Sequence, residues 1–254
     1  MKEEIRRELL AMAESQYRDF SASLIPGVTN MLGIRLPKLR QTAKKLATGN
    51  WQAWLEEGDI YFEETMLRGM IISYATAKME VSRALPYIRE FVPLVDSWSV
   101  CDSVFMKMDV LKKDRAQTWQ FVLPLLESGD EFKVRIALIV IMQFLLKTDS
   151  GGKTVKRYRS ISMADLEKRE KHNSVEEKIW QVVNRPFEEG YYASMAAAWI
   201  LAEAFVCFPS ETNCFLKQCR LDDVTYHKAL QKIVESRIPD EEVKCYIRSM
   251  KKQK

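Results

Sequence analysis

Residues 98–107 read WSVCDSVFMK, and three other stretches of the chain open the same way. They are FEETMLRGMI at 62–71, FKVRIALIVI at 132–141 and YASMAAAWIL at 192–201. Each begins on an aromatic residue and runs on into a mostly apolar turn. The leading residues Phe62, Trp98, Phe132 and Tyr192 are spaced by 36, 34 and 60 positions. The segments ahead of two copies also match, FVPLVDSW at 91–98 against FVLPLLES at 121–128. A helical pair recurring every ~35–45 residues is the mark of a HEAT-like array, whose units bury their apolar faces only against neighbours. The expected fold is all-α: HEAT-like repeats stacked into a curved α-solenoid with a concave groove, as a single domain over 1–254.

The rest of the chain agrees. Apolar residues recur at helical spacing almost everywhere, and strand-like alternation is scarce. Over 3–20, Ile5, Leu9, Met12 and Ala13 fall on one stripe, which predicts one helix. Pro37 is expected to open another after the Gly33–Leu36 connector, because proline suits a first helical position. With 9 Gly and 8 Pro in 254 residues, a turn-rich β protein is disfavoured.

The long third spacing exceeds the others by about 25 residues. The excess maps to SGGKTVKRYRSISMADLEKREKHN at 150–173, a polar stretch with little helical stripe. A helix is expected to resume at Ser174, where SVEE resembles a capping box. The segment holds seven Lys/Arg and three Asp/Glu, so its net charge equals the +4 of the whole chain. It reads as a basic insertion, either a solvated loop or a polyanion contact.

Composition excludes several classes. A chain 47% hydrophobic and 29% charged is an ordinary globular one. Five scattered Cys without a CxxC pair, behind a charged start (MKEEIRRELLAMAESQ), suggest a reducing, cytoplasmic setting. Ile136–Met142 is too short an apolar run to span a bilayer, and Tyr191–Phe208 is interrupted by Glu203. No membrane association is expected. Cys207, Cys214, Cys219 and His227 match no zinc spacing, so no metal is expected. No GxGxxG or P-loop pattern suggests a nucleotide cofactor, and none is expected. Neither His172 nor His227 shows a nucleophile partner.

One residue breaks the repeat. The fourth position after the leading aromatic is Met66, Asp102, Ile136 and Ala196. Three copies are apolar there and one is a carboxylate. Trp98 and Asp102, four apart, would share a helical face amid Val100, Cys101, Val104 and Phe105, which favour burial. An unpaired buried charge is costly, so Asp102 needs a partner or a function. Arg135, one repeat later, is a candidate partner, since neighbouring repeats stack.

MLGIRLPKLRQTAKKL, SWSVCDSVF, KVRIALIVIMQFLL and YYASMAAAWILAEAF together resemble the DNA alkylation repair family of HEAT-like DNA glycosylases, the AlkD-like proteins. The likeness runs over about residues 5–245. It implies that Trp98 and Trp199 match the family's two cleft tryptophans, Asp102 its catalytic aspartate and Arg135 its cleft arginine. The implied activity is release of cationic N3- or N7-alkylated purines from duplex DNA, without a cofactor, by a monomer. Arg35, Lys38, Arg40, Lys44 and Lys45 around the helix after Pro37, with Lys112, Lys113 and the 150–173 segment, are the candidate contacts to the DNA backbone.

Two features depart from the family. Active members carry a DNA-contacting helix just before the LGI segment, where this chain has SASLIPGVTNMLGI, and Pro26–Gly27 with Asn30 predict a loop instead. The family's basic residues around the second tryptophan are replaced by Met195 and Ala202. The alternative expectation is a HEAT-like scaffold that binds DNA or another partner and no longer excises.

Overall fold

A computed structural model describes residues 2–149, 153–168 and 175–252. These residues are all-helical, with fifteen α-helices and no strand. They gather into two compact units, Met1–Gln117 and Thr118–Lys254.

The first unit contains α1 (Lys2–Ala11), α2 (Ser15–Leu24), α3 (Leu36–Ala47), α4 (Gln52–Leu55), α5 (Phe62–Thr76), α6 (Val81–Phe91) and α7 (Trp98–Phe105). Helix α8 (Arg115–Leu126) crosses the boundary. The second unit continues with α9 (Glu131–Val140), α10 (Met163–Glu167), α11 (Glu177–Val183), α12 (Tyr191–Cys207), α13 (Pro209–Gln218), α14 (Asp223–Glu235) and α15 (Glu241–Ser249). Helix α9 runs on into a π-helical turn, Ile141–Leu146. Helices start on or one residue before all four aromatic leaders. The equivalent positions Met66, Ile136 and Ala196 are buried, whereas Asp102 is half-buried.

Each unit is built around one helix that is buried on most of its sides. In the first unit α5 packs against α3, α6 and α7. Gly69 makes this close approach possible: a Cβ there would lie 2.4 Å from the Phe91 ring and 2.6 Å from Val104. Charged groups close the same unit at its edge. Lys2 is fully buried, donating to the Glu57 carbonyl and to Asp59, while Arg68 grips Asp59 through two nitrogens. In the second unit α12 packs against α9, α13 and α14.

The stripe over 3–20 is divided between two helices. The break at Met12–Glu14 arises because the Glu14 N–H turns away to donate to the Gly33 carbonyl, 3.1 Å distant. Pro37 does lie in the first turn of α3. The loop around Pro26–Gly27 is present, and Gly27 has φ 91°. It does not replace a helix, however, because α2 stands immediately ahead of it and ends at Leu24.

Of the 150–173 insertion, 150–152 and 169–173 lie outside the described residues, and so do His172 and the expected cap Ser174. Residues 153–168 are ordered by specific bonds. Thr148 and Thr154 form an antiparallel bridge, and Ile161 forms a parallel one with Pro239. Asp165 then accepts from the Ser162 N–H and hydroxyl to start α10.

Candidate functional site

Helix α7 owes its start to Ser97, whose hydroxyl accepts from the Val100 N–H at 3.3 Å. Burial divides its eight residues into two faces. Val100, Cys101, Val104 and Phe105 are fully buried, while Trp98, Ser99, Asp102 and Ser103 are half-buried. Trp98 and Asp102 therefore share the face that reaches solvent, one turn apart. The Trp98 indole is tied by its Nε1–H to the Leu24 carbonyl, 3.1 Å away. That carbonyl ends α2, so a backbone group without a partner in its own helix is satisfied by the indole.

The loop beneath this face is fixed by a carboxylate that sequence reasoning missed. Glu63, buried on α5, accepts from the N–H groups of Leu32, Gly33 and Ile34 at 2.9, 2.7 and 3.2 Å. A small cavity of about 100 Å³ lies next to it, lined among others by Tyr17, Ile25, Glu63, Ser99 and Ser103.

In the second unit, Arg135 is buried, and its Nη1 donates to the Tyr192 carbonyl at 2.7 Å. The Tyr192 N–H donates in turn to Glu131 Oε1 at 2.5 Å. One peptide-bearing residue at the start of α12 is thus held from both sides by α9. The Phe132 and Tyr192 rings stack there, 5.5 Å apart. A carboxylate at a helix N-terminus and a guanidinium on a carbonyl are both charge-assisted bonds. Trp199 follows two turns later on the half-buried face of α12, with Met195, Ala202 and Glu203.

The candidate backbone contacts differ in their freedom. Arg35 and Lys38 both pair with Glu14, at 2.9 and 3.0 Å. Hydrogen bonds from Lys38 and then Arg35 hold the Glu14 carboxyl below the usual carboxylate range. Arg35 also lies over the Tyr17 ring. Arg40 reaches toward α7, donating to the Ser103 carbonyl at 3.3 Å, next to Asp102. Lys44 is exposed over the Tyr74 ring. Lys112 pairs with Asp109, and Lys113 donates to the Met79 carbonyl. Pairs this exposed contribute little to stability and can exchange for a phosphate.

Among the described residues there is no cluster of His, Cys, Asp and Glu that could hold a metal ion, and no helix is long and apolar enough to cross a membrane. A family model described as DNA alkylation repair enzyme matches residues 5–171, about two thirds of the chain. The chain belongs to that family. The DNA alkylation repair match contains Trp98, Asp102, Arg135 and the basic residues of α3, whereas Trp199 lies beyond its end. Neither the curated proteins nor the solved structures offer a match. Membership supports a role in DNA alkylation repair and an interaction with DNA.

Of the residues that sequence reasoning passed over, Glu14, Glu63 and Glu131 left no periodic trace. Glu203 did leave one. It is the carboxylate that interrupts the apolar run of α12, and it accepts from Arg157 at 2.5 Å and pairs with Lys147 at 3.2 Å.

Proposed function

We propose that the protein is a DNA glycosylase that hydrolyses the N-glycosidic bond of N3- or N7-alkylated purines in duplex DNA. The observation that carries this reading is the solvent-reaching face of α7, where Trp98 and Asp102 stand one turn apart on an otherwise buried helix.

The chemistry fits a site with one carboxylate. A purine alkylated at N3 or N7 is already cationic, so it departs neutral when the bond to C1′ breaks. Glycosidases that expel a neutral sugar's oxygen need a second carboxyl as acid, and this leaving group does not. Positive charge builds on the deoxyribose as the bond stretches. The Asp102 carboxylate stabilises that charge and orients a water that adds to C1′ and passes its proton to the carboxylate, which returns it to solvent. Electron-rich indoles attract the cationic base, each by ~0.5–2 kcal/mol. Trp98 supplies one, and Trp199 is assigned the second. Arg135 acts as the positioning residue, through Tyr192 and α12. Arg40, Lys44 and Lys45 supply backbone affinity, joined by Arg35, Lys38, Lys112 and Lys113 where a phosphate displaces their present partners. The repeated aromatic helix starts support HEAT-like stacking, and the active form is proposed to be a monomer in the cytoplasm.

The test is release of 7-methylguanine or 3-methyladenine from methylated duplex by the purified chain and by Asp102→Asn. The wild type is expected to release base and the variant to fall to background. Equal release by both would reject the role of Asp102. A second reading, a DNA-binding scaffold without excision, is favoured by the pairing of both Arg35 and Lys38 with Glu14. Salt-sensitive binding by a wild type that releases no base would establish it.

A further inference from the structure

The second unit carries a basic segment beside α12, a helix that itself contains no Lys or Arg. Between Lys153 and Arg159 the sequence KTVKRYR contains four cations and no carboxylate. Its backbone is pinned along its length. The Val155 N–H donates to the Lys147 carbonyl at 2.9 Å and the Tyr158 N–H to the Val206 carbonyl of α12 at 3.0 Å. Beyond it, the Ile161 N–H donates to the Ile238 carbonyl at 3.0 Å, and the Asp240 N–H returns a bond to the Ile161 carbonyl at 2.9 Å. Val155 and Ile161 point into the unit and are buried, while Lys153, Lys156, Arg157 and Arg159 are exposed.

Glu203 fixes where this segment lies. Its carboxylate takes Arg157 and Lys147, and it sits on α12 one turn after Trp199, on the same half-buried face. Arg157 is thereby largely neutralised. Lys153, Lys156 and Arg159 form no ion pair among the described residues. Three unneutralised cations on a rigidly held, extended stretch thus stand beside the face that carries Trp199.

We propose that segment 153–159 is a phosphate-backbone contact for duplex DNA, with Lys156 and Arg159 as its principal cations and Glu203 as the latch that sets it beside Trp199. The proposal rests on the reading of the chain as a DNA enzyme and supplies the phosphate contacts that Met195 and Ala202 cannot. Six residue steps of extended chain span at most ~20 Å. One DNA strand carries a charge about every 3.4 Å of helix axis, so several phosphates lie within reach. Because the segment is already pinned, little ordering cost opposes binding.

The test measures binding of an undamaged duplex across a salt series, with Lys156→Ala/Arg159→Ala compared with a control of equal charge loss, Lys78→Ala/Arg83→Ala. All four side chains are exposed, so both variants are expected to melt as the wild type does. The 156/159 variant is expected to bind about tenfold more weakly at low salt, with the slope of log K against log salt shallower by about 2. The control is expected to bind as the wild type. Wild-type slope and affinity in the 156/159 variant, or an equal loss in the control, would overturn the proposal. If that happens while the wild type releases methylated purines, the phosphate contact fails and the glycosylase reading survives. If the slope changes as expected and no base is released, the contact stands and the glycosylase reading fails.

Discussion

Trp98 on α7 donates its indole N–H to the carbonyl of Leu24, the last residue of α2, across 3.1 Å. The bond joins the candidate cation-binding ring to a helix that buries none of its own residues. Phe20 and Leu24 of that helix are 60% and 50% exposed, so little apolar burial holds it in place. Its attachment depends on few contacts, and the Trp98 bond is one of them.

Trp98→Phe keeps an aromatic face and removes the donor. The loss is expected to cost about 0.5–1.5 kcal/mol, the net value of one hydrogen bond. Amide exchange in α2 is expected to accelerate by about three- to tenfold, while exchange in α5 stays slow. Hydrogen-exchange mass spectrometry resolves the two helices. Unchanged exchange in α2 would mean that other contacts hold it.

A site with one carboxylate and no acid for the leaving group is expected to follow the charge of the base. Release of 7-methylguanine is expected to exceed release of a neutral lesion such as hypoxanthine by about a hundredfold or more, because the neutral base departs only after protonation. Parallel excision assays on duplexes carrying one lesion each give the ratio. Comparable rates would require a proton donor that the Asp102 face does not supply.

The sequence revealed what repeats and concealed what pairs. Aromatic leaders at helical starts located α5, α7, α9 and α12, because those helices are set by apolar spacing within a dozen residues. Asp102 was visible as a carboxylate in an apolar register position. Glu63, by contrast, binds three N–H groups 29–31 residues earlier in the chain. Nothing local distinguishes such a residue from a surface glutamate. The split of the 3–20 stripe was hidden for the same reason, since the break depends on a bond from Glu14 to Gly33. Pro26–Gly27 correctly marked a loop. What it could not mark was the helix just upstream, whose exposed surface weakens any periodic signal.

Gly33 is the point at which these long-range bonds meet, and it has φ 83°. A Cβ there would lie 2.5 Å from the Arg18 nitrogen and from the Glu14 carbonyl oxygen. Gly33→Ala therefore strains the backbone and forces α2 away from the loop. A destabilisation of about 2–4 kcal/mol is expected in urea unfolding, comparable to other special-backbone substitutions. Gly58→Ala, where nothing lies within 4 Å and φ needs no glycine, is the control and is expected to be nearly neutral.

The unit that carries α7 is also expected to fail in acid, with Asp59 as a principal cause. Burial pushes the Asp59 carboxyl upward, but hydrogen bonds from Arg68 and Lys2 outweigh it and leave the group below its usual value. The folded state therefore holds the proton less tightly than the unfolded chain does. Its stabilisation is complete above the unfolded value of about 3.9 and is lost as pH falls from there through the lower folded value. Asp59→Asn leaves Lys2 and Arg68 buried without their counter-charge, a change expected to cost about 3–5 kcal/mol at pH 7. Urea unfolding of both proteins at pH 7 and below pH 4 separates the effects. The wild type is expected to lose stability over that range, and the variant, already weakened, to lose less. If the two lose the same amount, other carboxylates govern the acid transition and Asp59 is not its cause.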